Sequence, residues 1–316
     1  MLEIREAPQS EAIADQVLVR VRASALNRAD LLQRQGRYPA PPGFPQEIPG
    51  LEFAGEVAAT GPLVKMWRPG QRVFGLTGGG AQAEYIAIQE RLLAEIPKNL
   101  DWLEAAAIPE VFITAHDGLW TQANLRPGET VLIHSVGSGV GLAAVQLARA
   151  MQGVPFGTSR TADKIEQARK EGLEAGLVVR DNFDELVSVA EKWTGGNGIN
   201  VVLDLAGGPY VKASQKLMAT KGRIILVGTV AGGAYELDSR FVMGKRLQIR
   251  GTVLRARTLE EKIQVTQSFA SEVVPLLARG VLHPNIDSKF KMADITKAHQ
   301  RLESNETFGK VVIEIG

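Results

Sequence analysis

The chain has 316 residues, of which 45% are hydrophobic and 22% charged, and its 36 Lys and Arg against 35 Asp and Glu leave a net charge of +1. It contains no Cys, which excludes a disulfide framework, a thiolate nucleophile and any Cys-built zinc or iron–sulfur site. The balanced charge disfavours a dedicated nucleic-acid or membrane-surface binder, and the length exceeds the roughly 250–300 residues that one core usually supports, so we expect two lobes.

Up to about residue 109 the pattern is mainly strand and turn. Val17, Val19, Val21 and Ala23 alternate with Leu18, Arg20 and Arg22, which is typical of a strand with one buried face. Residues 37–50 hold five prolines and must form a loop whose backbone is largely fixed by their rings. This part of the chain therefore predicts a small, irregular β-barrel. Its further strand candidates are residues 52–57, 72–76 and 84–88.

From residue 131 to residue 252, short apolar runs alternate with helical ones. Strands of this kind are typical of parallel strands buried on both faces and joined by right-handed crossovers. The pattern predicts a doubly wound nucleotide-binding fold. The strands are expected at 131–134, 154–158, 178–179, 201–205, 223–227 and 247–252, and the helices at 140–151, 162–171, 184–193 and 210–219.

The last stretch of the chain predicts one long helix over 259–279 and a closing strand over 308–315 that alternates like an edge strand. We therefore expect a substrate domain of residues 1–109 and 253–316 and a nucleotide-binding domain of residues 110–252. The uncharged stretch 130–148 contains polar residues and three glycines, which favour a buried strand and helix over a membrane span. The first residues lack the features of a secretory signal, so we expect a soluble, cytoplasmic protein.

The strongest chemical signal is the glycine turn, residues 135–141, which follows a predicted buried strand and opens a helix. A pyrophosphate can rest on a helix N-terminus only where little side chain holds it away, and Gly137 and Gly139 would permit that approach. Gly141 would let the helix pack on the strand, although residue 142 is Leu, so the match to Gly-x-Gly-x-x-Gly is imperfect. The context favours a dinucleotide site over a purely structural turn. The residues expected to contact the cofactor there are Ser135, Gly137, Ser138, Gly139 and Val140.

The end of the second predicted strand indicates which dinucleotide binds. An NAD site places Asp or Glu there to accept from the ribose hydroxyl. Here the strand leads instead into Ser159, Arg160 and, one helical turn later, Lys164. A hydroxyl and two cations suit a 2′-phosphate, so we expect NADPH to be preferred over NADH. The alternative interpretation is an ordinary solvated helix start.

Four segments resemble the zinc-free quinone oxidoreductases of the medium-chain dehydrogenase/reductase superfamily, with the closest likeness to their p53-inducible branch. These segments are NRADLLQRQGRY at 27–38, GLEFAGEV at 50–57, GTVLRAR at 251–257 and FGKVVI at 308–313. The resemblance covers nearly the whole chain. Members of the family usually carry one more β-strand before the segment LEIR, so the chain looks short at its N-terminus, and many relatives have Gly where Ser138 stands.

The resemblance implies an α/β protein with a GroES-like β-barrel substrate domain and a Rossmann doubly wound parallel sheet that carries NADPH. It also implies a cleft between the two lobes and a homodimer paired through the Rossmann sheet edge. Asn27 and Tyr38 would be the catalytic residues at the substrate end, Ser138 would lie in the glycine turn, and Lys164 would meet the 2′-phosphate. The residues that would lie near the nicotinamide half are Gly228, Val230, Leu254, Arg255, Arg257 and Lys310.

The four His, at 116, 134, 283 and 299, show no metal-ligand spacing, so we expect no metal and a structural role for His134. Without a Lewis acid the acceptor must be electrophilic by itself, as a small planar quinone is. Tyr38 could stack on such a ring or donate to a developing oxyanion, and Asn27 could orient the nicotinamide ribose or the acceptor. A half-buried loop tyrosine and a local turn cap are the alternatives for these two residues. Asp30 and Glu52 are expected to support the loop and barrel.

We therefore expect an NADPH-dependent quinone oxidoreductase that transfers reducing equivalents without a metal, by hydride or by single electrons. Arg255 and Arg257 are interpreted equally as cofactor contacts or as surface charge. One alternative function is the reduction of α,β-unsaturated ketones or aldehydes by NADPH. Another is a non-catalytic NADPH-binding protein, crystallin-like or RNA-binding.

Overall fold

The computed structural model describes residues 2–316 and places them in two compact units. The first unit consists of residues up to Ile113 together with Leu254–Gly316, and the second unit is Thr114–Val253. The divisions fall four residues and one residue beyond those expected at 109/110 and 252/253.

The strands, in chain order, are β1 Gln16–Ala25, β2 Glu52–Thr60, β3 Arg72–Leu76, β4 Tyr85–Gln89, β5 Leu93–Glu95, β6 Thr130–Ile133, β7 Val154–Ser159, β8 Ala175–Val178, β9 Ile199–Asp204, β10 Met218–Leu226, β11 Gln248–Gly251, β12 Ile286–Lys291 and β13 Lys310–Glu314.

The α-helices are α1 Arg28–Arg34, α2 Trp102–Ala106, α3 Pro109–His116, α4 Gly139–Ala150, α5 Ala162–Lys170, α6 Phe183–Trp193, α7 Pro209–Leu217, α8 Ser239–Lys245, α9 Leu259–Glu272, α10 Val274–Ala278 and α11 Ile295–Glu303. A π-helix, Asp117–Gln122, continues α3, and single 3-10 turns lie at Glu90–Leu92 and Met292–Asp294. Across residues 2–316, no helix is both long and apolar enough to cross a membrane.

The first unit is organised around one seven-stranded sheet in the order β12-β13-β1-β2-β3-β5, with β4 paired to β1. Its neighbours run antiparallel except for the parallel pair β12 and β13. The alternation predicted for β1 is confirmed, because Val17, Val19 and Val21 are buried in one cluster with Phe53 and Val73.

The prediction of an edge strand at 308–315 is wrong. Strand β13 lies between β12 and β1, and both of its faces are covered. Val311 and Ile313 pack against α11, whereas Val312 packs on the opposite side against Ala25 and Ala107. Because the sequence alternation at 311, 313 and 315 indicated only one apolar face, it missed the second.

The long helix predicted over 259–279 is also wrong, because the chain forms two helices, α9 and α10, that meet at Val273. Pro275 causes the break: it has no N–H to donate, and its ring clashes with the preceding helical turn. The first 109 residues, where mainly strands and turns were expected, also contain the two helices α1 and α2. In the first turn of each helix, an acidic side chain accepts a hydrogen bond from the N–H of the N-cap residue. Asp30 accepts from Asn27 in α1, and Glu104 accepts from Asp101 in α2.

The second unit contains a six-stranded sheet in the order β11-β10-β9-β6-β7-β8, in which every pair is parallel. The chain starts at the central strand β6, steps outward to β7 and β8, returns to β9 beside β6, and steps outward again to β10 and β11. This order confirms the doubly wound Rossmann fold, and it places the switch point between β6 and β9. Ligands of such sheets bind at the carboxyl ends of the strands beside that point.

Candidate functional site

The glycine turn of the second unit joins the carboxyl end of β6 to the N-terminus of α4. Ser138 is the N-cap of α4, and its hydroxyl accepts from the Gly141 N–H at 3.1 Å. The first-turn N–H groups of Gly139 and Val140 have no intrahelical acceptor, because no turn precedes them. Ser135, Ser138, Gly139 and Val140 are partly exposed, so the predicted contact residues lie together at an accessible helix N-terminus. This is the arrangement that binds anionic groups.

Side chains are excluded from the glycine turn by close backbone and side-chain approach. A Cβ on Gly141 would lie 2.6 Å from the carbonyl oxygens of Ser135 and Val136. A Cβ on Gly137 would lie 2.8 Å from Cδ of Lys164 and 2.9 Å from its Cβ. The Lys164 side chain therefore lies across the glycine turn, although 27 residues separate it from Gly137 in sequence. The glycine turn, the N-terminus of α4 and the Lys164 ammonium together suit the phosphates of a dinucleotide.

The carboxyl end of β7 lies beside this turn and carries the other predicted phosphate-binding residues. Ser159 is the buried last residue of β7, the next residue, Arg160, is exposed, and Lys164 is partly exposed in the first turn of α5. Val136 N donates to Thr158 O at 2.9 Å, which ties the turn to β7. A hydroxyl and two cations thus surround the strand end.

A second glycine-rich contact forms where β9 ends. Asp204 is buried, and its Oδ1 accepts from the N–H groups of Ala206 and Gly207 at 2.7 Å each. A Cβ on Gly207 would lie 2.6 Å from Gly232 O, and one on Gly228 would lie 2.6 Å from Leu205 O. The loop after β10 therefore packs on the end of β9 beside the switch point, with Val230 exposed on it.

His134 holds three elements of the second unit together. It is fully buried, its Nδ1 lies 3.0 Å from Thr158 Oγ1 on β7, and its Nε2 lies 3.0 Å from Ser214 Oγ on α7. Burial lowers the pKa of the imidazole, so the ring stays neutral and accepts from one hydroxyl. The contacts agree with the structural role expected for it.

A polar cluster formed by Asn27, Asp30, Glu52, Glu110 and Lys310 lies in the first unit. Lys310 Nζ donates to Leu26 O at 2.7 Å, to Asn27 Oδ1 at 2.6 Å and to Glu52 Oε1 at 2.6 Å. Asn27 Nδ2 donates to the same Glu52 oxygen at 2.8 Å, and the Glu110 N–H donates to Glu52 Oε2 at 2.7 Å. Lys310 and Glu52 thus form a buried ion pair in which all three ammonium protons are bonded.

Asp30 anchors the proline-rich loop to the cluster. It is fully buried, its Oδ2 accepts from the Asn27 N–H at 2.7 Å and its Oδ1 from the Gly50 N–H at 2.9 Å. Burial raises its pKa to about 6, against the two backbone donors and the Lys310 ammonium, which lower it. At neutral pH Asp30 is therefore a carboxylate that holds the loop end on α1.

Glu110 lies in the first turn of α3, and no motif in the sequence marks it. Its side chain is partly exposed, and burial together with the neighbouring Glu52 carboxylate raises its pKa to about 8, against the opposing effect of Lys310. The only local signal is its place directly after Pro109 at a helix start. Its neighbours Asp30, Glu52 and Lys310 are remote in sequence, so no spacing rule could have found the cluster.

Arg255 fixes the proline-rich loop from inside the first unit. It is buried, and its guanidinium donates to Gly78 O at 2.9 Å, Tyr38 O at 3.1 Å and Gln33 Oε1 at 2.6 Å. The guanidinium carbon also lies 4.7 Å from the centre of the Tyr38 ring. Its donors therefore position Tyr38, whose own ring is half-buried and whose pKa burial raises.

The predicted residues of the first unit thus fall into two groups. Asn27 and Lys310 join the polar cluster, and Tyr38 joins Arg255. Glu110 links the groups, because its charge acts on the pKa values of both Tyr38 and Arg255. Leu254 is buried beside Arg255, and Arg257 is half-buried.

Comparison with known proteins gives consistent matches along the chain. A family model described as zinc-binding dehydrogenase matches residues 173–313, and one described as alcohol dehydrogenase GroES-like domain matches residues 13–98. The quinone oxidoreductase of Lama guanicoe is 33% identical over 302 residues, covering 94% of this chain and 88% of that protein.

Two solved structures are also similar. The Escherichia coli quinone oxidoreductase complexed with NADPH matches with a TM-score of 0.84 and 28% identity, covering 98% of this chain and 95% of that one. The CurK enoyl reductase matches with a TM-score of 0.83 and 26% identity, covering 99% and 94% of the two chains. The GroES-like fold expected for the first part of the chain is confirmed by these matches.

The residues present do not fit the zinc ion that one family description names. The chain has no Cys, and within residues 2–316 no group of three or more His, Asp or Glu is arranged to hold a metal. In the polar cluster, the position beside Glu52 and Asn27 is taken by the Lys310 ammonium, which would repel a divalent cation.

Proposed function

The chain belongs to the quinone oxidoreductase family of the medium-chain dehydrogenase/reductase superfamily, and from that membership we propose that it is an NADPH-dependent quinone reductase. The family's oxidoreductase activity with a nicotinamide cofactor is the broader assignment. The preference for NADPH is supported by the packing of Lys164 across Gly137, which brings a cation from α5 to the glycine turn.

NADPH, when bound, supplies the reducing equivalents. The first-turn N–H groups of α4 and the Ser138 cap would hold its pyrophosphate, together with Ser135 and the backbone at Gly137. Ser159, Arg160 and Lys164 would hold the 2′-phosphate, whose charge no carboxylate at the end of β7 opposes. Gly228 and Val230 lie on the loop beside the switch point, where the nicotinamide half is expected.

We propose a quinone as the acceptor because a quinone accepts reducing equivalents without the help of a metal ion. The side chains of residues 2–316 do not form a site for a metal that could polarise a less reactive carbonyl. Tyr38 offers a ring held in place by Arg255. Asn27 has both ends of its amide bonded, to Glu52 and to Lys310, so we assign it to orienting the cluster that faces the acceptor. Arg255 and Lys310 donate their hydrogen bonds to groups of the first unit, so we assign them to supporting Tyr38 and the polar cluster.

Steady-state oxidation of NADPH and NADH with 1,2-naphthoquinone, 1,4-benzoquinone and an α,β-unsaturated ketone tests the proposal. We expect turnover with the quinones and a lower KM for NADPH than for NADH. Failure of both quinones to oxidise bound NADPH would refute it.

A second candidate is the reduction of α,β-unsaturated carbonyl compounds, which needs the same cofactor and a proton donor. It is favoured by the likeness to the CurK enoyl reductase and by the accessible carboxyl of Glu110. Turnover with the unsaturated ketone alone would favour this candidate over the first.

We also propose a homodimer formed through β11, one of the two outer strands of the second unit's sheet. Large apolar side chains are exposed around this strand, among them Met243 on α8 and Val253 after β11, which are 69% and 52% exposed. Met243→Glu should shift the mass measured by light scattering toward the monomer. Val281→Glu, at a residue of the first unit that is 52% exposed, is the matched control and should leave the mass unchanged.

A further inference from the structure

The three acids of the polar cluster differ in how their oxygens are used. Both oxygens of Glu52 accept hydrogen bonds, from Lys310 and Asn27 on one side and from the Glu110 N–H on the other. Both oxygens of Asp30 accept backbone N–H groups. No donor among residues 2–316 reaches the Glu110 carboxyl, which is also the only one of the three with exposed surface. Of these three acids, only Glu110 has surface that a bound molecule can reach.

The charges of the surrounding groups determine the protonation state that the cluster favours. Glu52 on β2 and Asp30 on α1 contribute two negative charges, and Lys310 on β13 and Arg255 after β11 contribute two positive ones. These four charges balance. An ionised Glu110 would add an unpaired negative charge next to Glu52, whose Oε2 is already bonded to the Glu110 backbone.

Glu110 is also electrostatically linked to the predicted substrate residue. Its charge raises the pKa of Tyr38, which lies on the Arg255 guanidinium. The Glu110 carboxyl is therefore close enough to Tyr38 for its charge to act on the phenol.

We propose that Glu110 is the proton donor of the reaction, a role that rests on the proposed quinone reductase function. As a hydride leaves NADPH and adds to the quinone, one quinone oxygen gains negative charge. The Glu110 O–H bond breaks and its proton forms the new O–H bond, giving hydroquinone, NADP⁺ and a Glu110 carboxylate. Solvent water then returns the proton to Glu110, so that one NADPH, one quinone and one proton are consumed per turnover.

The proton required is present at neutral pH. Burial and the Glu52 charge raise the pKa of Glu110 to about 8, so the carboxyl is protonated below that pH and loses its proton above it. The rate should be level below about pH 8 and fall tenfold per pH unit above it, because only the protonated form donates.

The test compares Glu110→Gln with wild type and with Glu95→Gln, a control at an exposed acid on β5. In Glu110→Gln we expect kcat with quinones to fall about 100-fold, as for loss of a general acid, and the alkaline fall in rate to disappear. The loss should be largest for quinones with electron-donating substituents, whose hydroquinone anions are the most basic. Tyr38→Phe should keep the alkaline limb.

Two readouts do not depend on turnover. Infrared difference spectra of wild type against Glu110→Gln should show a protonated carboxyl band that disappears near pH 8, and NADPH fluorescence titration should give the same Kd for all variants. An active wild type with kcat retained in Glu110→Gln, or a band that survives that substitution, would refute the proton step alone. A wild type that binds NADPH but reduces no quinone would refute the proposed function and the proton step with it.

Discussion

In the second unit, seven consecutive residues, 135–141, form the glycine turn, whereas the polar cluster of the first unit combines residues from 27 to 310. The glycine turn uses backbone N–H groups and the absence of side chains. The polar cluster uses charged side chains delivered by α1, β2, α3 and β13.

The difference decides what each site tolerates. A backbone site depends on the space left by glycine, so adding one carbon damages it. A side-chain cluster depends on charge balance in a buried environment, so removing one partner damages it.

Replacing Lys310 by Met should have the largest effect. The substitution leaves Glu52 as a buried carboxylate without its cation, which lowers the free energy of unfolding by about 3–5 kcal/mol. Urea unfolding followed by circular dichroism measures the loss. Lys297→Met is the control, since the Lys297 ammonium pairs with Asp294 at the surface, where water screens the two charges, and its loss should change the unfolding midpoint very little. Equal losses in the two variants would contradict the central place given to Lys310.

The pH dependence of stability should distinguish Glu110 from ordinary surface acids. Its pKa of about 8 in the folded chain lies above the usual value of 4.5, so the folded state holds the proton more tightly. Stability from this group is therefore complete below about pH 4.5 and is lost as the pH rises toward 8. We expect the free energy of unfolding to fall by about 2–3 kcal/mol between pH 5 and 8. This is less than the full pH dependence of a one-proton group, because the carboxyl is partly accessible to water.

This loss is measured as the difference between wild type and Glu110→Gln in urea unfolding at each pH, since the other titrating groups are common to both. A difference that is constant from pH 5 to 8 would mean that Glu110 titrates normally.

Gly141→Ala should damage the glycine turn through one added carbon. Its Cβ would lie 2.6 Å from two backbone oxygens that cannot move independently of β6, so we expect a loss of about 2 kcal/mol of stability and weaker NADPH binding. Gly244→Ala, where the Cβ has open space, is the matched control. Unfolding and fluorescence titration measure the two effects, and an unchanged Kd for NADPH would separate this turn from the cofactor.

The smallest expected effect concerns cofactor preference. Replacing both Arg160 and Lys164 by Ala should raise the KM for NADPH about tenfold and leave that for NADH nearly unchanged, because only NADPH carries the 2′-phosphate. Lys170→Ala, at the other end of α5, is the control. Equal changes for NADPH and NADH would contradict the assignment of these two cations.

The contrast also explains which parts of the molecule could be predicted from the sequence. Strands β6, β7 and β9 are largely buried and each is followed by a helix, so the alternation of short apolar runs with helical ones indicated the sheet. The ends of β6, β7 and α4 lie within one residue of the predicted positions. The glycine turn is continuous, and its residues were found for the same reason.

The polar cluster could not be predicted in this way. The two carboxylates expected to be supports, Asp30 and Glu52, are indeed buried and bonded to the loop and cluster. Glu110 was missed because its raised pKa arises from neighbours on other elements. The true place of β13 and the donors of Arg255 likewise depend on tertiary contacts, which local periodicity does not encode.

The position of β13 between β12 and β1 also sets an order of assembly during synthesis. The second unit is one continuous stretch, so its sheet can close as soon as its last strand leaves the ribosome. The first unit begins earlier but lacks β12 and β13 until the whole second unit has been translated. Glu52 and the carbonyl of Leu26 therefore have no ammonium partner through most of translation, and the barrel is completed last.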